Sequence, residues 1–253
     1  MPLDSAAHPI PAGSNGSRND PGTSVSPRPP RPGKPMEILQ ARFLRAGPGA
    51  LQSRELLALL LRGSHGHDRA SSLADSLLAS FRSLPHVLAA SREQLATVPG
   101  LSSGGICTIK LAEALGILLA TEQLPDRLDP ALSNYGQVLD YCRARLGFKA
   151  IEELHTLFLD NRNHLIRAER SQTGTVNHTP AYPREIVHRA LQLQASAIII
   201  VHNHPSSDPT PSRADIEITK KLVEAARLFN IRIHDHIIIT ATGATSFRDQ
   251  GLI

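Results

Sequence analysis

The sequence predicts an α/β sandwich of sheet and helices, preceded by a small all-α region and a disordered amino-terminal tail. Three observations predict it. Apolar residues recur at helical spacing from Met36 to about Leu124, with Leu56, Leu57, Leu60 and Leu61 in one stripe and Leu73, Leu77, Leu78 and Phe81 in another. From Leu154 onward short apolar runs alternate with helical segments, the strongest run being Ala197-Ile198-Ile199-Ile200-Val201. The first 35 residues hold nine Pro, four Gly and five Ser, with only Leu3, Ile10 and Val25 as larger aliphatics. Such a segment buries too little apolar surface to offset its ordering entropy, so residues 1–35 are expected to be disordered.

In the helical region, residues 36–124, Ser91-Arg92-Glu93-Gln94 has the pattern of a capping box opening a short helix. The loop Val98-Pro99-Gly100-Leu101-Ser102-Ser103-Gly104-Gly105 leads into a long helix, Ile106 to about Leu124. This arrangement resembles a helix-hairpin-helix, whose Gly-rich turn offers backbone N–H groups to a DNA phosphate. The match is partial, because Ser102 stands where the second hairpin glycine is expected. A tight interhelical turn is the simpler reading. Pro125 and Pro130 bracket a mostly polar link, so residues 125–133 are expected to join two domains, with 134–253 the second.

In that second domain, a helix from Tyr135 to about Leu146 precedes a strand, Leu154 to Asp160. Asn161-Arg162-Asn163-His164 turns into a second strand, Leu165 to about Gln172. Next come a helix from Arg184 to Gln194, the Ala197–Val201 strand, and a helix from Asp215 to Phe229. A strand from Ile231 to Thr240 and a short one from Thr245 to Phe247 complete the order.

Lys and Arg total 27 against 23 Asp and Glu, a formal charge of +4 with a pI near 9.4. This permits weak nucleic-acid affinity without demanding it. Trp is absent and aromatics are 4% of residues, so base-stacking platforms would be few. The tail has no continuous apolar core of a secretory signal, and no stretch is expected to reach membrane-span length. Cys107 and Cys142 fall within predicted helices with no pairing pattern, which suits a reducing cytoplasm.

The densest chemistry lies in Val201-His202-Asn203-His204-Pro205, followed by Ser212 and Asp215. Two histidines at i and i+2 of an extended segment share a face and can converge where the strand ends. Pro205, Pro209 and Pro211 force an irregular loop. Ser212-Arg213-Ala214-Asp215 then reads as an N-cap Ser with an acidic N3 residue, a spacing that swings Asp215 back toward the histidines. Two neutral imidazoles and a carboxylate suit zinc, with the fourth position left to water. Asn203 points to the opposite face and is assigned no catalytic role. Asp208 is expected in an Asx-type turn. His234 and His236, read as sharing one strand face, are either structural or a supporting layer behind the ligands.

The order His-x-His, seven residues, Ser, two residues, Asp resembles the signature of the JAMM (MPN+) metallopeptidases. The surrounding text is similar to their bacterial RadC branch: Pro183-Arg184-Glu185-Ile186, Ala195-Ser196-Ala197, His202-Asn203-His204-Pro205-Ser206, Asp235-His236-Ile237-Ile238 and Ser246-Phe247-Arg248. Upstream, Glu55 to Arg62 looks like the family's amino-terminal helical region, so the resemblance runs from about residue 36 to the end. It implies an MPN-type sandwich, bound zinc, and attack on the carbonyl of a peptide or isopeptide substrate. It also implies a general base from a Glu at the start of an earlier strand. Glu152 sits where RadC-like sequences usually carry it, and Glu153 takes its place if the strand starts one residue out of register. The two point to opposite faces. Glu185 is more simply a helix-dipole residue. Ser212 corresponds to the motif serine that helps hold the oxyanion, and here either does so while capping its helix or only caps it. Ser207 stands where the family usually has glycine, which puts the loop's path in question. RadC proteins also carry a link to DNA repair, so a DNA-associated factor with a structural zinc, docking through the helical region, is the alternative. No membrane partner is expected.

Overall fold

Residues 35–128, 135–173 and 182–253 are described by a computed structural model. The tail expected at residues 1–35 lies outside them apart from Pro35, as does most of the expected link. The helical region contains α1 (Pro35–Ala46), α2 (Ser53–Phe81), α3 (Leu84–Ala89), α4 (Arg92–Ala96) and α5 (Ser103–Glu122). Gly66, at φ 73°, breaks α2 into two helical segments, a conformation that costs glycine nothing. Leu57, Leu61, Leu73 and Leu77 of the two stripes are buried with Val87, Leu95 and Ile109. The capping box of α4 is present, since Gln94 N donates to Ser91 Oγ (3.2 Å) and Ser91 N to Gln94 Oε1 (2.8 Å).

Helix α5 starts three residues earlier than its sequence suggested. Ser102 Oγ caps it by accepting from Gly105 N (3.2 Å), and the Ser102 amide donates to His65 Nε2 (2.9 Å). Two amides of the hairpin turn are therefore engaged within the chain. A Cβ at Gly105 would collide with the His65 ring, which explains the glycine there. One expectation is corrected here: α5, with a mean hydropathy of 1.5 over its best window, is long and apolar enough to cross a membrane. Two of its charged side chains bond to the body of the protein. Lys110 donates to Leu88 O (3.1 Å) and Ala90 O (2.9 Å), and Glu113 accepts from Lys149 (3.0 Å). Leu111, Leu115, Leu118 and Leu119 form its outward stripe, each more than half exposed.

The second region runs α6 (Tyr135–Leu146), β1 (Glu153–Leu159), β2 (Leu165–Thr173), α7 (Pro183–Gln192), β3 (Ala197–Asn203), α8 (Arg213–Arg227), β4 (Arg232–Ile239) and β5 (Ala244–Ser246). The strands form one mixed sheet in the order β2-β1-β3-β4-β5, with only β3 and β4 parallel. Strand β3 is buried along its whole length, which is why it reads as an unbroken aliphatic run. Ala197, Ile199 and Val201 pack in the cluster that contains α6, whereas Ile198 and Ile200 pack in the one that contains α7 and α8. The result is the predicted α/β sandwich. Pro35–Ile253 is one compact unit. Leu128, at the described end of the link, is fully buried in the α6 cluster and its amide donates to Asn163 O (2.8 Å).

A bulge in β4 overturns the expected pairing of His234 with His236 on one face. Ile198 pairs with Ile233 and Ile199 with Asp235, so His234 is the extra residue and the alternation resets after it. His234 bonds Asn163 Oδ1 (2.8 Å), whereas the His236 ring bonds His202 and Thr219. Asp235, completely buried, accepts from Tyr135 Oη (2.9 Å), Ser246 Oγ (2.7 Å), Arg248 N (3.1 Å) and its neighbour His236 N (2.8 Å). It thereby fastens the last strand to β4 and α6. Asp235→Ala strands these donors in a dry interior, so it should lower unfolding free energy by about 3 kcal/mol or more, measured by urea denaturation.

Candidate metal centre

His202 and His204 straddle the end of β3, and Asp215 sits in the first turn of α8. The loop between them turns through Ser207 at φ 68°, so serine adopts here the left-handed conformation that favours glycine. Asp208 Oδ1 accepts from Thr210 N (2.9 Å), the Asx turn read from the sequence. At α8, Asp215 N donates to Ser212 Oγ (3.2 Å) and Ser212 N to Asp215 Oδ2 (2.7 Å). This capping box turns the carboxylate back over the helix end, toward the histidines.

The three side chains converge. His202 Nε2 lies 2.9 Å from His204 Nε2, Asp215 Oδ1 lies 3.4 Å from His202 Nε2, and Asp215 Oδ2 lies 3.6 Å from His204 Nε2. Ligands about 2.0–2.1 Å from a tetrahedral zinc stand about 3.3 Å apart, so these edges fit such an ion. Among the described residues, no other three His, Cys, Asp or Glu side chains form such a group. His204 Nδ1 lies 2.8 Å from Asp208 O. A carbonyl only accepts, so Nδ1 carries the hydrogen and Nε2 presents a lone pair to the cluster when the ring is neutral.

Electrostatics agree with a donor set. Burial pushes His202 down to about 4, against the opposing pull of Asp215, so its ring is neutral near pH 7. His204 is raised, first by its hydrogen bond with Asp215 and last by the charge of Glu152. Burial alone would raise Asp215, yet the hydrogen bond with His204, the charge of His202 and the bonds with Ser212 hold it well below the carboxylate range.

The two adjacent glutamates separate. Glu152 lines a cavity of about 1190 Å³ together with His204, Ser212 and Asp215. Glu153 instead bonds His155 Nε2 (2.9 Å), with Arg170 3.8 Å away. Asn203 positions this segment, a role that sequence reasoning missed. Its Oδ1 accepts from Glu153 N (2.9 Å), while its Nδ2 donates to Lys149 O (3.3 Å) and Ile151 O (3.1 Å). The only signal was a buried amide wedged between two histidines. Glu185 is exposed and pairs with Arg184, outside the cavity lining. Phe81, Arg82 and His86 of the helical region complete the cavity wall, a placement that no motif announced.

A mixed sheet between helical layers, with a His-His-Asp cluster at a strand end and a helix start, defines a JAB-type domain carrying a candidate metal centre. Sequence comparison agrees: residues 132–252 match the RadC-like JAB domain family and residues 33–107 the UPF0758 N-terminal family. A UPF0758 protein of Rhodobacter capsulatus is 42% identical over 216 residues, covering 85% of this chain and all of that protein. The chain belongs to this UPF0758 family of RadC-like JAB-domain proteins. JAB domains include hydrolases.

Proposed function

We propose that the chain is a zinc-dependent hydrolase that cleaves an amide or isopeptide bond, with His202, His204 and Asp215 holding the metal. The observation that carries this reading is the triangle of two ring nitrogens and a carboxylate, edges 2.9 to 3.6 Å, opening on the cavity that Glu152 lines. When bound, zinc supplies Lewis acidity that makes a water nucleophilic near neutral pH and polarises the carbonyl. Glu152 accepts the proton of the attacking water and returns it to the leaving amine. Ser212 Oγ accepts from Asp215 N through a lone pair, which leaves its own hydrogen for the developing oxyanion. Capping and oxyanion support are therefore compatible in one hydroxyl. The free thiols Cys107, exposed, and Cys142, buried, support action in a reducing compartment such as the cytoplasm.

Metal analysis of the purified full chain, paired with hydrolysis of peptide and isopeptide probes, tests this reading. About one zinc per chain is expected, with hydrolysis that a chelator removes and added zinc restores. A chain that takes up no metal from zinc-containing buffer would overturn it.

A further inference from the structure

Behind His202 lies a buried chain of hydrogen bonds that the hydrolytic reading does not use. His202 Nδ1 is 2.8 Å from His236 Nε2, His236 Nδ1 is 2.6 Å from Thr219 Oγ1, and Thr219 Oγ1 is 2.5 Å from Asp215 O. His202 is 2% exposed, and Thr219 and His236 are each 1% exposed. Two elements create the chain. Thr219 lies one helical turn after Asp215, so its hydroxyl reaches back to that residue's carbonyl. The bulge at His234 turns His236 to the α8 face, where the Phe247 ring lies 4.5 Å away.

Counting hydrogens fixes the direction of every bond. The Asp215 carbonyl can only accept, so the single hydroxyl hydrogen of Thr219 goes there. Thr219 Oγ1 must then accept from His236, which places the His236 hydrogen on Nδ1. The His236 ring is enclosed, its hydrogen-bond partners are an imidazole and a hydroxyl, and no carboxylate oxygen is among them to hold a second ring hydrogen, so the ring carries one. Its Nε2 is therefore a lone pair, and His202 has to donate Nδ1–H to it. That leaves His202 Nε2 bare, facing His204 Nε2 at 2.9 Å. Neutral His204 is bare at the same atom, because its Nδ1–H is directed to Asp208 O. Two lone pairs aimed at each other repel unless a proton or a metal cation lies between them, and either one is met by a bare His202 Nε2.

We propose that Thr219 and His236 are positioning residues that set the tautomer of His202, so that its Nε2 is delivered bare to the metal point. Their effect on affinity rests on reading the trio as a metal centre, whereas the tautomer itself does not. One consequence is that the Asp215 backbone and its carboxylate serve the same centre, the first through the relay and the second directly.

The test uses the full chain in three forms: wild type, Thr219→Val and Thr219→Ser. Zinc affinity is measured by competition with a chromophoric chelator. Thr219→Val removes the acceptor that holds His236 in its tautomer, and is expected to weaken zinc about 10–100-fold. Thr219→Ser keeps the hydroxyl and should stay close to wild type. Nitrogen NMR of 15N-labelled histidine in metal-free wild type, assigned with His202→Gln, reads the tautomer directly. Protonated Nδ1 on both His202 and His236 is expected. Protonated Nε2 on His202, or a folded Thr219→Val that binds zinc as tightly as wild type, would overturn the proposal. If wild type bound no zinc, the hydrolase reading would fail, and the NMR result would still decide the relay.

Discussion

Glu152→Gln is expected to leave zinc stoichiometry unchanged and to slow hydrolysis by about 10²–10⁴-fold, the usual contribution of a positioned general base. Glutamine preserves the size and hydrogen-bonding shape of the side chain but has no basic oxygen for a water proton. Zinc should stay because Glu152 lies outside the His-His-Asp group. The control is Glu153→Gln, whose carboxylate is spent on His155 and faces Arg170. That variant should retain most of its hydrolytic rate. Chelator-competition affinity and initial rates on one probe substrate separate the two. Full activity in the Glu152 variant would remove Glu152 as the base.

His204→Ala is expected to abolish both zinc retention and hydrolysis. It takes one of two ring nitrogens from a three-donor set, and a single imidazole with one carboxylate is a poor zinc site. The metal-free fold should tolerate the change. His204 lies past the last residue of β3 and belongs to none of the three apolar core clusters, its side chain bonds a loop carbonyl and the cluster itself, and its backbone bonds to Ile239 O and Ser207 N survive the substitution. Metal content after dialysis should fall from about one zinc per chain to none, with metal-free stability within about 1 kcal/mol of wild type. Stoichiometric zinc in this variant would place the metal elsewhere.

Much of the site was legible because it is nearly local. His202, His204, Ser212 and Asp215 lie in one strand–loop–helix segment, where alternation and the capping box dictate direction. Which of Glu152 and Glu153 lines the cavity was not local. It depends on β1 pairing with β3, where Leu154 sits opposite His202, and on Asn203 stapling the chain on either side of Glu152. The shared face of His234 and His236 was misjudged for a different reason, although the supporting-layer alternative holds for His236. A strict period of two cannot anticipate a bulge, and the bulge at His234 decides which histidine meets His202. Helix α5 was also underread, since Lys110 and Glu113 interrupt its apolar run while the helix as a whole stays apolar on average.

By itself, the sequence determined the α/β order, the helical stripes and the convergence of two histidines with Asp215, because each follows from backbone period and caps within a short span. Only the tertiary structure decided which glutamate reaches the cavity, which histidine stands behind His202, and that the helical region walls the site. Those outcomes depend on strand register and on the packing of distant elements. Each joins residues tens of positions apart, and no local preference of the chain encodes that distance.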